Sequence, residues 1–150
     1  MQSSSLSING SYTQNGNLSL TSDSILSNSI PLYFNSGYID GSGSITGTIY
    51  QTSGTIRPGG HSAIGTIHIG NLMQNNASIE IECISDSSYD IVNVTLASFG
   101  ANSTIGVIFG YLPDNGTVLD GVVQGEIAGN VKGCCYGNRN RRSGSDFAYS

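Results

Sequence analysis

Residues 64–82, IGTIHIGNLMQNNASIEIE, decide the fold of this 150-residue chain. Within them Ile67 and Ile69, and later Ile79 and Ile81, stand two positions apart with one polar residue between. Successive side chains of a strand point to opposite faces, so a period of two places these isoleucines on one buried face. A helix needs apolar residues at steps of three and four, which no long window shows. The stretch therefore predicts short β-strands with one apolar face.

The same pattern recurs along most of the chain. Equivalent apolar positions follow one another at intervals of 11 to 13 residues, as from Ile8 to Leu20 and from Val94 to Val107 to Val118. Residues that tolerate a positive φ stand between them, which is typical of tight turns. These turn segments are Asn9-Gly10, Asn15-Gly16, Asp40-Gly41, Pro58-Gly59-Gly60, Asn115-Gly116 and Asp120-Gly121. We therefore expect about ten short strands in an all-β protein.

Two all-β architectures fit this spacing. One is an antiparallel β-sandwich, and the other is a parallel β-helix, a solenoid whose turns each hold two or three short strands. The chain has no Trp, which sandwiches commonly bury. Its polar positions are mostly Ser, Thr, Gly and Asn, and isoleucines stacked on isoleucines suit a narrow core. These features favour the parallel β-helix, with the sandwich as the alternative.

Charge divides the chain in two and excludes some functions. Residues 1–131 carry nine acidic residues and the single base Arg57, a net charge of −8, whereas residues 132–150 have a net charge of +3. The pattern of isoleucines also stops there, so we predict a β-helix segment over 1–131 and a disordered basic tail over 132–150. So few bases disfavour nucleic-acid binding. No apolar run of about 18 residues exists to span a membrane.

An ordered series of short motifs gives the chain a family resemblance. It resembles the repeat module of bacterial autotransporter passenger domains and related surface adhesins, which implies a β-helix exposed at the cell surface or secreted. The series covers roughly 65 residues. Its motifs are Gly54–Gly60 (GTIRPGG), Ile64–Asn71 (IGTIHIGN), Ser78–Glu82 (SIEIE), Ser88–Thr95 (SYDIVNVT) and Gly110–Gly116 (GYLPDNG), with an upstream element at Gly10–Leu20.

The resemblance predicts a non-enzymatic structural or adhesin-type segment that needs no cofactor. Its partner would be a host-surface or glycan ligand. Residues 1–30 lack the basic start and the roughly 7–15-residue apolar run of a signal peptide. We therefore expect a fragment of a longer secreted protein, or a truncated gene. The open strands at the ends of such a piece predict end-to-end self-association.

Two alternative functions stay open. One is a polysaccharide-active β-helix enzyme, a lyase or hydrolase, which the architecture permits without indicating it. The other is a ligand lattice of the ice-binding kind, which needs an aligned ladder of threonines. The threonines available are unevenly spaced, at Thr46, Thr48, Thr55, Thr66 and Thr104.

The densest group of acidic residues is Glu80, Glu82, Asp86 and Asp90. Carboxylates that converge from a strand and its loop can hold Ca²⁺, so these four are the candidate metal ligands. A pair of them can also act as general acid and base. The simplest interpretation is a solvated outer face, since Glu80 and Glu82 alternate with Ile79 and Ile81.

The remaining reactive side chains predict no site. Cys83 stands at an alternating strand position, where it packs as a small apolar residue. Its alternatives are a disulfide or a metal site with Cys134 or Cys135, although no Cys-x-x-Cys spacing exists. His61 and His68 lie near no nucleophile motif and are predicted to be surface residues. The Asn-x-Ser/Thr sequences at Asn9, Asn17, Asn76, Asn93, Asn102 and Asn115 would be glycosylation sites only in a secreted eukaryotic protein.

Overall fold

The computed structural model describes residues 4–114, 117–129 and 131–136, and every helix-or-strand element in these ranges is a β-strand. The strands are β1 (Ser5–Ile8), β2 (Tyr12–Gln14), β3 (Leu18–Leu20), β4 (Ile25–Asn28), β5 (Leu32–Phe34), β6 (Tyr38–Gly41), β7 (Ser44–Gln51), β8 (Thr55–Pro58), β9 (Thr66–Gln74), β10 (Ser78–Ser85), β11 (Ser88–Tyr89), β12 (Ile91–Phe99), β13 (Thr104–Phe109), β14 (Val123–Gly129) and β15 (Lys132–Tyr136).

The strands form a parallel β-solenoid of about five turns. One sheet, here sheet A, has the order β1-β4-β7-β9-β12-β14, with β2 and β5 alongside the second half of β7. The other, sheet B, has the order β15-β13-β10-β8-β6-β3. All pairs in the described residues are parallel except that of β10 with the two-residue β11. The predicted parallel β-helix is confirmed, and the antiparallel sandwich is not formed.

The core consists of columns of like residues that run along the solenoid axis. In sheet B, Ile39, Ile56, Ile79 and Ile105 lie directly above one another, and all four are fully buried. Ile56 and Ile79 each have an isoleucine in the turn before and in the turn after, whereas Ile105 has Gly133 in the turn after it. The period-two pattern therefore predicts the inner face correctly, because each strand exposes alternate residues to the same narrow interior.

Sheet A bends at a corner, and the number of residues at this corner differs from turn to turn. In the second turn the four residues 28–31 lie between Ser27 and Leu32, which pair with Thr46 and Ile49 of β7. In β7 only Gly47 and Thr48 fill the same corner. Gly47 has a φ of 129°, and a Cβ there would lie 2.6 Å from the Asn28 carbonyl oxygen. Glycine thus lets β7 bend without leaving the sheet.

One inner column contains a polar pair. Phe34, Gln51, Gln74 and Phe99 occupy successive turns, and both glutamines are buried. The Gln74 Nε2 group donates a 3.0 Å hydrogen bond to Gln51 Oε1. The other amide atoms of the pair, Gln51 Nε2 and Gln74 Oε1, have no hydrogen-bond partner in the described part of the chain.

The structure departs from the sequence pattern in two places. Residues around Val118 form no strand, and its side chain is 61% exposed, because the apolar contacts of this loop come from Leu119 and Val122. Leu6 points into the core column of Leu26 but is 59% exposed, since no described residue covers it from the other side.

The predicted tail begins inside the solenoid. Its first five residues are β15, which pairs with β13. Residues 137–150 lie outside the described ranges, and so do the side chains of Cys134 and Cys135. The predicted division of the chain after residue 131 stays a prediction.

Candidate functional site

The predicted acidic site is divided between the outer face of β10 and the interior. Glu80 and Glu82 point outward from β10, alternating with buried Ile79 and Ile81, as the sequence pattern predicts. Asp90, in contrast, is fully buried just before β12. The interpretation of the whole group as a solvated face is therefore wrong for Asp90.

Asp90 ties the chain segments around it together. Its Oδ1 accepts a 2.8 Å hydrogen bond from the Gly65 amide, and its Oδ2 accepts one of 2.8 Å from the Glu82 amide. Burial raises the pKa of Asp90 to about 7. The two hydrogen bonds lower this pKa, whereas the negative charges of Glu82 and Glu80 raise it further. The carboxyl thus fixes the start of β9 against β10.

Glu82 holds the loop between β8 and β9. Its Oε1 accepts a 2.8 Å hydrogen bond from the Ser62 amide, and the His61 Nδ1 lies 3.9 Å away. Ser62 has a φ of 65°, which a non-glycine residue rarely adopts. The carboxylate therefore compensates a backbone conformation that is otherwise unfavourable.

Asp86 faces a different group. It accepts a hydrogen bond from the Tyr111 hydroxyl, and burial together with this bond raises the pKa of Tyr111. The neighbouring Cys83 is a buried free cysteine whose Sγ lies 3.1 Å from the Ser85 carbonyl oxygen. Burial raises the pKa of the Cys83 thiol, so it packs as the predicted small apolar residue and is a poor nucleophile.

The four carboxylates do not converge on one point. No group of three or more His, Cys, Asp or Glu residues in the described ranges is arranged to hold a metal ion. Asp90 and Glu82 are directed at backbone amides and Asp86 at a phenol, so none of these three offers a pair of free oxygens to a cation. The calcium site at Glu80, Glu82, Asp86 and Asp90 stays a prediction, as does an acid–base pair.

Arg57, the single Lys or Arg of residues 1–131, is bound to groups of the protein itself. Arg57 on β8 makes a 3.0 Å ion pair with Asp40 on β6, and its guanidinium lies 3.6 Å from the centre of the Tyr38 ring. Asp40 also accepts a hydrogen bond from Ser19. This row stabilises the outer face of sheet B between adjacent turns.

The outer face of sheet A carries a different surface. Ser44, His68, Asn93 and Gln124 lie above one another on β7, β9, β12 and β14. They are all polar and carry no carboxylate or amine. His68 is exposed, as is His61 on the loop before β9, so the prediction that both histidines lie at the surface is confirmed.

This column borders a shallow open depression of about 490 Å³. Its floor is the corner at Gly47 and Gly70, and its walls include Thr46 and Thr95. Sequence reasoning missed this site, since neither a motif nor a spacing places Ser44 beside His68. Only the alternation of outward residues along each strand hints at it.

Known proteins give no further assignment. Comparison with protein-family models, with curated proteins and with solved structures found no match. In the described residues, no helix is long and apolar enough to cross a membrane.

Proposed function

We propose that this chain is a non-enzymatic structural segment of a secreted or surface-exposed protein, of the adhesin or autotransporter-passenger type. The observation that carries the proposal is the continuous stacking of turns around isoleucine columns. Every turn uses its backbone groups to bind the next one, so the product is a stiff rod that holds its outer faces at fixed positions.

The distribution of polar groups supports a role in display. The carboxylates and the arginine of the described turns largely bind the protein's own backbone or one another, as at Asp90, Glu82 and Arg57. The column of Ser44, His68, Asn93 and Gln124 on sheet A instead presents hydroxyl, amide and imidazole groups. A rod of this kind offers a regular surface for a host-surface or glycan ligand.

The location is tested on intact cells of the organism that makes the protein. Antibodies raised against the folded chain are expected to label intact cells, and external protease is expected to remove the label. A lysed sample and a cytoplasmic marker protein serve as controls. Labelling that occurs only after lysis would contradict the proposal.

Self-association is part of the same proposal. Strands β1, β2 and β3 carry no charged residue, and Leu6 in β1 is exposed. Unprotected parallel edges pair readily with other chains. Sedimentation velocity over a hundredfold range of concentration is expected to show oligomers that grow with concentration. A Leu6→Lys variant should shift this equilibrium toward the monomer, and a wild-type chain that stays monomeric throughout would contradict the expectation.

A further inference from the structure

Several outward polar side chains bind a neighbour in the adjacent turn. Thr46 Oγ1 donates to Ser27 Oγ at 3.2 Å, and Asn71 Nδ2 donates to Thr48 Oγ1 at 3.4 Å. On sheet B the hydroxyl groups of Thr55 and Ser78 lie 2.7 Å apart. Stacking of the turns thus satisfies some of the outer polar groups.

The column at the depression has no such bonds in the described ranges. The side chains of Ser44, His68 and Asn93 make no hydrogen bond within the described part of the chain, and neither does that of Thr95. They occupy three successive strands, whose spacing in a sheet is about 4.8 Å. Ser44, His68 and Asn93 therefore present side chains without a hydrogen-bond partner among the described residues, at the strand spacing, and Thr95 on the strand of Asn93 adds a fourth.

Glycine makes this surface concave. Gly47 and Gly70 lie on adjacent strands at the corner of sheet A, where a Cβ on Gly70 would lie 2.6 Å from the Gly47 carbonyl oxygen. No side chain rises from the floor at these positions. The depression consequently runs across several turns, along the solenoid axis, instead of forming a closed pocket.

The chemistry of the lining selects one class of ligand. None of the lining residues is Asp, Glu, Lys or Arg, so neither a cation nor an anion finds a partner of opposite charge there. An extended peptide would need free backbone groups, which the parallel ladder of sheet A already uses. Hydroxyl groups both donate and accept, so they suit the hydroxyl, amide and imidazole groups of serine, threonine, asparagine and histidine.

We propose that the depression binds a neutral polyhydroxylated chain, an uncharged oligosaccharide lying along the solenoid axis, with His68 and Asn93 as the main contacts. The proposal rests on the proposed display function and names its ligand. A sugar residue is about as long as the distance between strands, so successive residues of the chain meet successive turns. With no aromatic side chain in the lining, a single site binds weakly, with a Kd of about 1 mM.

The test is a titration of the full chain followed by ¹⁵N-HSQC spectra. The probes are maltoheptaose, cellohexaose and mannohexaose as neutral ligands, and hexagalacturonic acid as the charged one. At least one neutral probe is expected to shift the amides of residues 44–47, 68–70 and 93–95 in a saturable way, while hexagalacturonic acid shifts none of them. His68→Ala and Asn93→Ala should each weaken the binding at least threefold, and the double variant at least tenfold.

The matched control is His61→Ala, which removes the same exposed side chain from the loop between β8 and β9. This variant is expected to bind the neutral oligosaccharides as the wild type does. Its spectra also show that a folded alanine variant can be interpreted. Binding of a neutral probe that His68→Ala and Asn93→Ala leave unchanged would overturn this site but leave the display function standing. No saturable shift with any of the neutral probes up to about 20 mM, some twentyfold above the expected Kd, would overturn the proposed ligand class. Failure to label intact cells would contradict the display function separately.

Discussion

The first two turns of the solenoid, residues 4–41, divide each turn into three short strands, whereas β7, β9 and β12 pass through the corner of sheet A as single strands of eight or nine residues. The second turn fills the corner with the four residues 28–31, and β7 fills it with Gly47 and Thr48. In β7 and β9 the bend falls at Gly47 and Gly70, whereas β12 passes the corner at Thr95 without a glycine. A short corner segment, and not glycine alone, therefore joins two strands into one.

The same two regions differ in how well their cores are covered. Ile79 has a buried isoleucine on each side, at Ile56 and Ile105, and is itself fully buried. Leu6 has a partner on one side only, Leu26, and is 59% exposed. Because each turn contacts only its neighbours, the stability of a solenoid is unevenly distributed along its axis.

The largest expected effect comes from removing a central column residue. Ile79→Ala is expected to lower the free energy of unfolding by about 4 kcal/mol, because it leaves a cavity enclosed on both sides. Leu6→Ala should cost less than about 1 kcal/mol, since its site is already open to solvent. Urea unfolding followed by circular dichroism measures both. Equal losses for the two variants would mean that the early and later turns do not differ in burial.

The second effect concerns Asp90, a buried carboxyl of the later turns. Its pKa is raised from 3.8 to about 7, so the folded chain holds the proton more tightly than the unfolded chain does. The contribution of Asp90 to the free energy of unfolding is therefore greatest below pH 4. It decreases by up to about 4 kcal/mol as the pH rises toward 7. Unfolding measured from pH 4 to 8 checks this.

Asp90→Asn should flatten that pH dependence, although it also loses one backbone hydrogen bond. Asp23→Asn, at an exposed position in the first region, is the matched control and is expected to keep the wild-type slope. If Asp90→Asn retains the full slope, another group in the later turns causes it.

The third effect tests the corner directly. Gly47→Ala forces a Cβ against the Asn28 carbonyl oxygen at a φ of 129°, and is expected to cost about 3 kcal/mol. Gly10 lies in the loop at the same corner of the first turn, and a Cβ there meets no atom within 4 Å. Gly10→Ala should change stability by less than about 0.5 kcal/mol. Thermal unfolding of both variants measures the contrast, and a neutral Gly47→Ala would refute the bent-strand explanation.

The smallest effect concerns the polar pair in the core. Gln74→Leu removes the partner of Gln51 and is expected to cost about 2 kcal/mol, because it leaves a buried amide without a hydrogen bond. Gln51→Leu combined with Gln74→Leu should recover most of that loss, since the column between Phe34 and Phe99 then becomes apolar throughout. A double variant that loses the sum of the two single losses would show that the pair does not interact.

The period of two in the sequence predicts the inner columns because alternation along a strand depends only on local geometry. The same reasoning places Glu80 and Glu82 outside and Cys83 inside, as the structure confirms. The repeat spacing, in contrast, fails for Val118. Its interval of 11 residues from Val107 fits the repeat, although the residue lies in a loop. A spacing identifies a strand only where the flanking residues also alternate.

The sequence singled out the acidic residues but could not predict the contacts of the candidate sites, because these depend on which residues meet across turns. Adjacent turns are joined by side-chain bonds between residues 17 to 31 positions apart, so no fixed offset aligns the outer columns. The alignment of His68 with Ser44 depends on the length of the loop between β8 and β9. Likewise Asp90 is buried only because β11 turns the chain back onto β10.

The parallel stacking of turns is tested most directly by methyl–methyl NOEs in a chain with labelled isoleucines. The solenoid predicts strong contacts of Ile56 with Ile79 and of Ile79 with Ile105, which are neighbours in register. It predicts no hairpin ladder that pairs the strand of Ile56 antiparallel with that of Ile67. Observation of such a ladder, with no contact between Ile56 and Ile79, would contradict the account.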